Sequence, residues 1–100
     1  MEKGTPHCKL AHAQALVTQG KYRTTNTART GAAKLGLGVD EMVAVVLALT
    51  RKDFDKSMTT HTDHTIWQDL YKPNTAVGPV YLKLTVVADV LIVSFKELGT

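Results

Sequence analysis

The residues best placed to do chemistry lie near the C-terminal end of the chain. Val80 to Val87 and Val90 to Lys96 read as the two clearest strands, with a side-chain period of two. Only Ala88-Asp89 separates them, which predicts a two-residue hairpin loop. In that register Val87 faces Val90, Leu84 faces Val93, Lys83 faces Ser94, Leu82 faces Phe95 and Tyr81 faces Lys96. Leu82, Leu84, Val86, Leu91, Val93 and Phe95 then form the core side. Tyr81, Lys83, Thr85, Ser94 and Lys96 share the other side, with Tyr81 and Lys96 as cross-strand neighbours about 5 Å apart at Cβ. A phenol beside an ammonium can exchange a proton, because the cation favours the phenolate. The same ammonium attracts phosphate. The plainer reading is a solvated sheet face, where lysine and tyrosine are ordinary.

A second group is His61-Thr62-Asp63-His64. Its residue types suit a metal, but one short cluster offers no clear fourth ligand, so no metal site is expected. The two histidines also suit acid–base catalysis. A loop braced by its own side-chain hydrogen bonds explains the same residues and is preferred. Cys8 is the one cysteine, which excludes an internal disulfide and fits a reducing cytoplasm. Nothing nearby activates its thiol, so it reads as a packing residue. Trp67 and Tyr71 read as core aromatics rather than stacking platforms. Arg23, in the polar, extended-looking connector Lys21 to Thr25, can touch an anionic polymer.

The elements that must hold these residues follow from periodicity and punctuation. Leu10, Ala13, Leu16 and Val17 recur at helical spacing, with Gly20 as the stop. Asn26 is expected to cap a second helix through Leu35, ended by Gly36, with Gly31 weakening it by about 1 kcal/mol. Asp40 is expected to cap a third, with Glu41 in its first turn. The apolar body Met42 to Leu49 predicts a helix buried on every side and packed flat on a sheet. Thr50 to Asp53 has the shape of a capping box and predicts one short turn. Asp55 to Thr60 and Thr65 to Tyr71 read as two more strands, and Pro73 to Pro79 as a loop. Helices first and strands after predict an α+β fold, with N-terminal helices packed on one face of a C-terminal antiparallel β-sheet. The 100 residues suit a single domain, 1–100. No apolar run approaches the roughly 18 residues of a membrane helix, and the first residues lack the apolar core of a signal peptide. A formal charge of +3 and a pI of about 9.1 are compatible with an anionic partner.

The run Lys56-Ser57-Met58-Thr59-Thr60-His61-Thr62-Asp63-His64-Thr65-Ile66-Trp67-Gln68-Asp69-Leu70-Tyr71 resembles the central signature of the MqsR toxins. So do Val80 to Val86, Val90 to Glu97, Arg23-Thr24-Thr25 and the opening Met-Glu-Lys-Gly-Thr-Pro-His. The resemblance is dense from Lys56 to Lys96 and loose from Ala11 to Ala48. It implies a RelE-like fold and a ribosome-independent, metal-independent endoribonuclease that cuts single-stranded mRNA at GC-containing sites. It also implies the toxic half of a type II toxin–antitoxin pair. The partner would be an antitoxin carrying a zinc-binding domain and a helix-turn-helix DNA-binding domain, with the free toxin a cytoplasmic monomer needing no cofactor. Lys56, Gln68, Tyr81 and Lys96 match the family's proposed catalytic residues. Lys83 and Arg23 are candidate RNA-binding residues, and His61 and His64 are the alternative acid–base pair. Asp55 departs from the aromatic residue that relatives are expected to carry. A non-enzymatic nucleic-acid- or protein-binding module on the same scaffold is the competing reading.

Overall fold

A computed structural model describes residues 1–60 and 62–98. In chain order it contains β1 (Glu2–Lys3), α1 (Leu10–Thr18), β2 (Tyr22–Thr24), α2 (Asn26–Lys34), α3 (Val39–Ala48), a 3₁₀ turn (Arg51–Asp53), β3 (Phe54–Thr59), β4 (Trp67–Tyr71), β5 (Asn74–Thr75), β6 (Gly78–Val86) and β7 (Val90–Glu97). The sheet runs β1-β3-β4-β6-β7-β2, with β5 paired to β6 off that path. The α+β class follows, with helices early and most strands late. The sheet is mixed rather than purely antiparallel, because β2 joins β7 in parallel. The connector Lys21 to Thr25 therefore supplies a sheet strand as well as a link.

Local hydrogen bonds set the helix boundaries. Gly20 and Gly36 have φ of 79° and 77°, the left-handed conformation that ends α1 and α2. The cap of α2 is Thr25, not Asn26, since its Oγ1 accepts from the Ala28 N–H at 3.0 Å. The start of α3 is Gly38, not Asp40. Glu41 reaches back to accept from the Gly38 N–H at 2.6 Å, which places Asp40 inside the first turn. The Asp53 carboxylate accepts from the Thr50 N–H at 2.8 Å, as the capping-box pattern requires.

The core joins Ala13, Leu16 and Val17 of α1, Ala28 and Ala32 of α2, and Met42 and Val46 of α3 to Tyr71, Val80, Leu82, Leu84, Val90, Ile92 and Phe95 of the sheet. The third helix is not buried all round. It packs mainly against α1 and α2 rather than flat on the sheet, and Leu47 is 42% exposed. Its apolar stretch is wider than the stripe that its neighbours cover.

The last hairpin departs from the expected register and then returns to it. The observed pairs near the turn are Val86 with Val90, Thr85 with Leu91 and Leu84 with Ile92. The loop is thus three residues, Val87-Ala88-Asp89. The register then shifts between Leu84 and Lys83, and Val93 is the extra residue, a β-bulge. Beyond it Lys83 faces Ser94, Leu82 faces Phe95 and Tyr81 faces Lys96. A slip of one residue flips a strand's faces. So Val90 and Ile92, not Leu91 and Val93, enter the core, while Phe95 enters as expected. The bulge is held in place by Thr25, whose hydroxyl donates to the Val93 carbonyl at 2.8 Å while its N–H donates to the Ile92 carbonyl at 3.1 Å.

Helix α2 lies directly against β7, and Gly31 is the point of closest approach. A Cβ at Gly31 would overlap the Phe95 carbonyl oxygen, a backbone atom that cannot swing aside. Intrinsic propensity favours Ala over Gly in a helix by about 1 kcal/mol. Overpacking against backbone costs about 1–3 kcal/mol or more. Gly31→Ala is therefore expected to destabilise the protein by about 1–2 kcal/mol net, read as a lower urea midpoint. A raised midpoint would show that α2 does not seat on β7 at this residue.

Candidate active site on the open sheet face

Residues paired across an antiparallel sheet point to the same face. Leu82 and Leu84 face the helices, so their neighbours Lys83 and Tyr81 face away. Lys83 pairs with Leu70, Leu70 with Lys56, and Lys83 with Ser94, which makes one row across β3, β4, β6 and β7. Tyr81 and Lys96 form the next row. Gln68 lies two residues from Leu70 on β4, and Arg23 pairs with Leu91 on β7. All six sequence-nominated residues from Arg23 to Lys96 outside the histidine loop thus share the open face.

They do not form one cluster. The tight group is Tyr81 with two ammonium groups. Lys96 Nζ lies 5.0 Å and Lys83 Nζ 5.7 Å from the phenol ring centroid. Lys56 stands two strands from Lys83, about 10 Å away at Cα. Its Nζ pairs with Glu2 of β1 at 3.2 Å. Gln68 is one row from Lys83 in the direction opposite to Tyr81. Arg23 sits at the far rim, where its Nε and Nη2 donate to both Asp89 oxygens at 2.6 and 3.1 Å. These hydrogen bonds hold the Asp89 carboxyl below its ordinary range. A depressed carboxyl keeps its partner at neutral pH and releases it as pH falls, so Arg23 is engaged near neutrality.

A second bulge decides that Lys56 belongs to this face. Phe54 pairs with Tyr71, yet Lys56 pairs with Leu70, so Asp55 is the extra residue. Phe54 therefore packs edge-on against Tyr71, 5.4 Å between centroids, on the core side. Lys56 turns outward. The Asp55 carboxylate pairs with Lys72 at 3.4 Å, so part of its charge is neutralised.

The histidine loop lies elsewhere. Asp69 faces Leu84, so Trp67 and the turn before it are beyond Leu84, whereas Tyr81 is three residues the other way. The turn that carries His64 lies toward the end of the face opposite to Tyr81. His64 is exposed in a turn, and His61 lies outside the described residues. The turn is braced as expected. Asp63 accepts from the Thr65 N–H and hydroxyl at 2.8 and 2.6 Å, and the Asp63 N–H donates to Thr60 Oγ1 at 3.0 Å. The bonds from Thr65 hold the Asp63 carboxyl below its ordinary range. Among the described residues no three His, Cys, Asp or Glu side chains are arranged to hold a metal.

Sequence reasoning missed the anchor under the site. Asp69 is buried on the helix side of β4 and accepts from the Ser57 hydroxyl, from the His7 N–H at 3.0 Å and from the Cys8 N–H at 3.1 Å. This binds the N-terminal segment across β3 and β4. His7 stacks on Trp67 at 5.3 Å, and Lys3 Nζ lies 4.2 Å from the Trp67 ring. The segment also carries Glu2 to Lys56. One sequence signal was available: an aspartate between Trp67 and Tyr71, at the parity of these two aromatics. Burial, aided by the Asp69 charge, raises the Cys8 thiol pKa, consistent with an unreactive cysteine. Burial first, then Asp69, also pushes the Tyr71 hydroxyl well above its usual value, so it stays a neutral core phenol.

A model of the family described as "Motility quorum-sensing regulator, toxin of MqsA" matches residues 5–97. The chain is 56% identical over 97 residues to the mRNA interferase toxin MqsR of Escherichia coli (strain K12), covering 97% of this chain and 99% of that protein.

Hydrogen bonds to a charged group contribute about 1.5–3 kcal/mol each, and those from Asp69 are made together. Asp69→Ala is expected to destabilise the fold by about 3 kcal/mol and to speed amide exchange at His7 and Cys8 more than in α2. Unchanged protection of those two amides would show that the N-terminal segment is held by other contacts.

Proposed function

The chain belongs to the MqsR toxin family, and on that premise we propose that it is an endoribonuclease that cleaves single-stranded mRNA without a metal or the ribosome. The observation that carries the reading is Tyr81 flanked by Lys83 and Lys96 on an open sheet face. RNA cleavage of this kind needs a base for the 2′-hydroxyl, an acid for the leaving 5′-oxygen and positive charge at the phosphate. Tyr81 is assigned proton transfer. Lys96 stabilises charge on the phosphate as the pentacoordinate state forms. Lys56 binds phosphate or serves as the acid, once substrate displaces it from Glu2. Gln68 holds the nucleotide by its carboxamide. Lys83 and, at the rim, Arg23 bind the RNA backbone. The 2′-oxygen bonds to phosphorus and the 5′-oxygen leaves with a proton, giving a 2′,3′-cyclic phosphate and a 5′-hydroxyl. Since side chains can fill all three roles, no cofactor is invoked.

The preference for GC-containing sites, and the role as the toxic half of a type II toxin–antitoxin pair, rest on family membership. So do cytoplasmic action, a monomeric free form, and an antitoxin with a zinc-binding domain and a helix-turn-helix DNA-binding domain. No helix of the described residues is long and apolar enough to cross a membrane. Expression of the chain alone is expected to arrest growth, and co-expression of the antitoxin to relieve it.

The test is cleavage of a defined single-stranded RNA in EDTA by the purified protein, with mapping of the 5′ ends. Tyr81→Phe is expected to lose about 10² to 10⁴ in rate and Lys96→Met about 10² to 10³. Both variants should fold, because neither side chain enters the core. Activity abolished by EDTA and restored by a divalent metal would overturn metal independence. Near-normal cleavage by folded Tyr81→Phe would remove Tyr81 from the mechanism. RNA binding without cleavage would favour the non-enzymatic module.

A further inference from the structure

Away from the Tyr81 group, the open face carries a cavity of about 330 Å³ at the turn end of the last hairpin. It exists because of the Val93 bulge. The one-residue slip between the bulge and the turn rotates Leu91 and Val93 out of the core and onto the open face, where both line this cavity. Gln68 and Thr85 contribute the polar groups. Thr85 is only 8% exposed, deep for a polar residue on a face turned away from the helices. Neither the Gln68 carboxamide nor the Thr85 hydroxyl has a hydrogen-bond partner among the described residues, so both are available to a ligand. The Arg23–Asp89 pair closes the outer rim.

An apolar wall, two free polar groups at its foot and an adjacent basic strip form the chemistry that accepts an unpaired base. Such a base can be held between apolar side chains and read by hydrogen bonds along its edge. Thr85 stands four residues from Tyr81 on β6, about 13 Å along the strand. A stacked step in a nucleic-acid strand is about 3.4 Å. The separation along the strand is about four stacked steps, so the cavity suits the base of a flanking nucleotide several positions from a phosphate held at Tyr81 and Lys96. We propose that this cavity is a base-reading subsite, in which Gln68 and Thr85 bond the edge of one flanking nucleobase while Leu91 and Val93 pack on its plane. Its occupant is a single unpaired RNA base, and Thr85 and Leu91 are specificity-determining residues. The inference rests on the ribonuclease reading for its substrate class, but not for the cavity itself.

The experiment has two arms. In the first, wild type, Thr85→Val and Leu91→Phe cleave an RNA pool randomised around the cut, and 5′ ends are sequenced. Thr85→Val removes one hydroxyl at nearly constant volume, and Leu91→Phe narrows the cavity. Each is expected to change base preference by about tenfold at one flanking position, the same position for both, and to leave the remaining positions as in wild type. Wild-type preference at every position in both folded variants would overturn the subsite. In the second arm, 2′-O-methyl oligonucleotides that resist cleavage are titrated into the wild-type protein. Base-dependent NMR shifts are expected at Thr85 and Leu91. If wild type fails to cleave but these shifts appear, the nuclease reading falls and the subsite stands. If cleavage occurs and no base-dependent shift appears at either residue, the subsite falls and the nuclease reading stands.

Discussion

A strand exposes alternate residues to opposite faces, and here two bulges reset that alternation. This parity constraint governs what the sheet presents to the core and to the open face. At Asp55 the reset lets Phe54 pack on Tyr71 while Lys56 turns outward. At Val93 it lets Val90, Ile92 and Phe95 all reach the core, although the first two and the third have opposite parity. Without the second bulge, a strand that buries Ile92 would turn Phe95 outward and Lys96 inward. Burying an unpaired ammonium is far costlier than burying a phenyl ring is favourable, so the bulge is what keeps Lys96 beside Tyr81. Thr25 supports that arrangement, because its hydroxyl both caps α2 and satisfies the Val93 carbonyl.

The helices and the N-terminal segment serve the same sheet from its other side. Gly31 allows α2 to lie close against β7, next to the bulge, which ties helix position to strand geometry. Asp69 fixes the N-terminal segment over β3 and β4. Apart from the stem of Lys96, which borders α2 at Gly31, the open face stays free of this packing. Its cations stand where an anionic strand can reach them, and Glu2, Asp55 and Asp89 are each engaged with a cation.

Much of this was legible in the sequence. The helical spacing of Leu10 to Val17, the capping box at Thr50 and the strand pattern of the last hairpin identified the elements. The Tyr81–Lys96 pairing was correct for a reason the sequence did not display. A loop one residue longer than expected and a bulge of one residue cancel exactly where the site lies. Between the two irregularities they do not cancel, and there Leu91 and Val93 were assigned to the wrong side. Bulges depend on tertiary partners such as the Thr25 hydroxyl, which local alternation cannot reveal. The caps at Thr25 and Gly38 were misplaced for a similar reason: several neighbouring residues could cap, and the backbone chose. The hydrogen bonds from His7 and Cys8 to Asp69 join residues about 60 positions apart, beyond any local pattern.

In the proposed mechanism, Tyr81 and Lys96 act on one phosphate as a coupled pair rather than as two independent surface residues. Their 5.0 Å contact makes that a statement about energetic coupling. Groups that share one network have non-additive effects, and distant groups have additive ones. The direct measurement is a double-mutant cycle on single-turnover RNA cleavage, using Tyr81→Phe, Lys96→Met and the combination. Coupling predicts that the double variant loses clearly less than the product of the two single losses. A double loss equal to that product, in variants with wild-type stability, would contradict it.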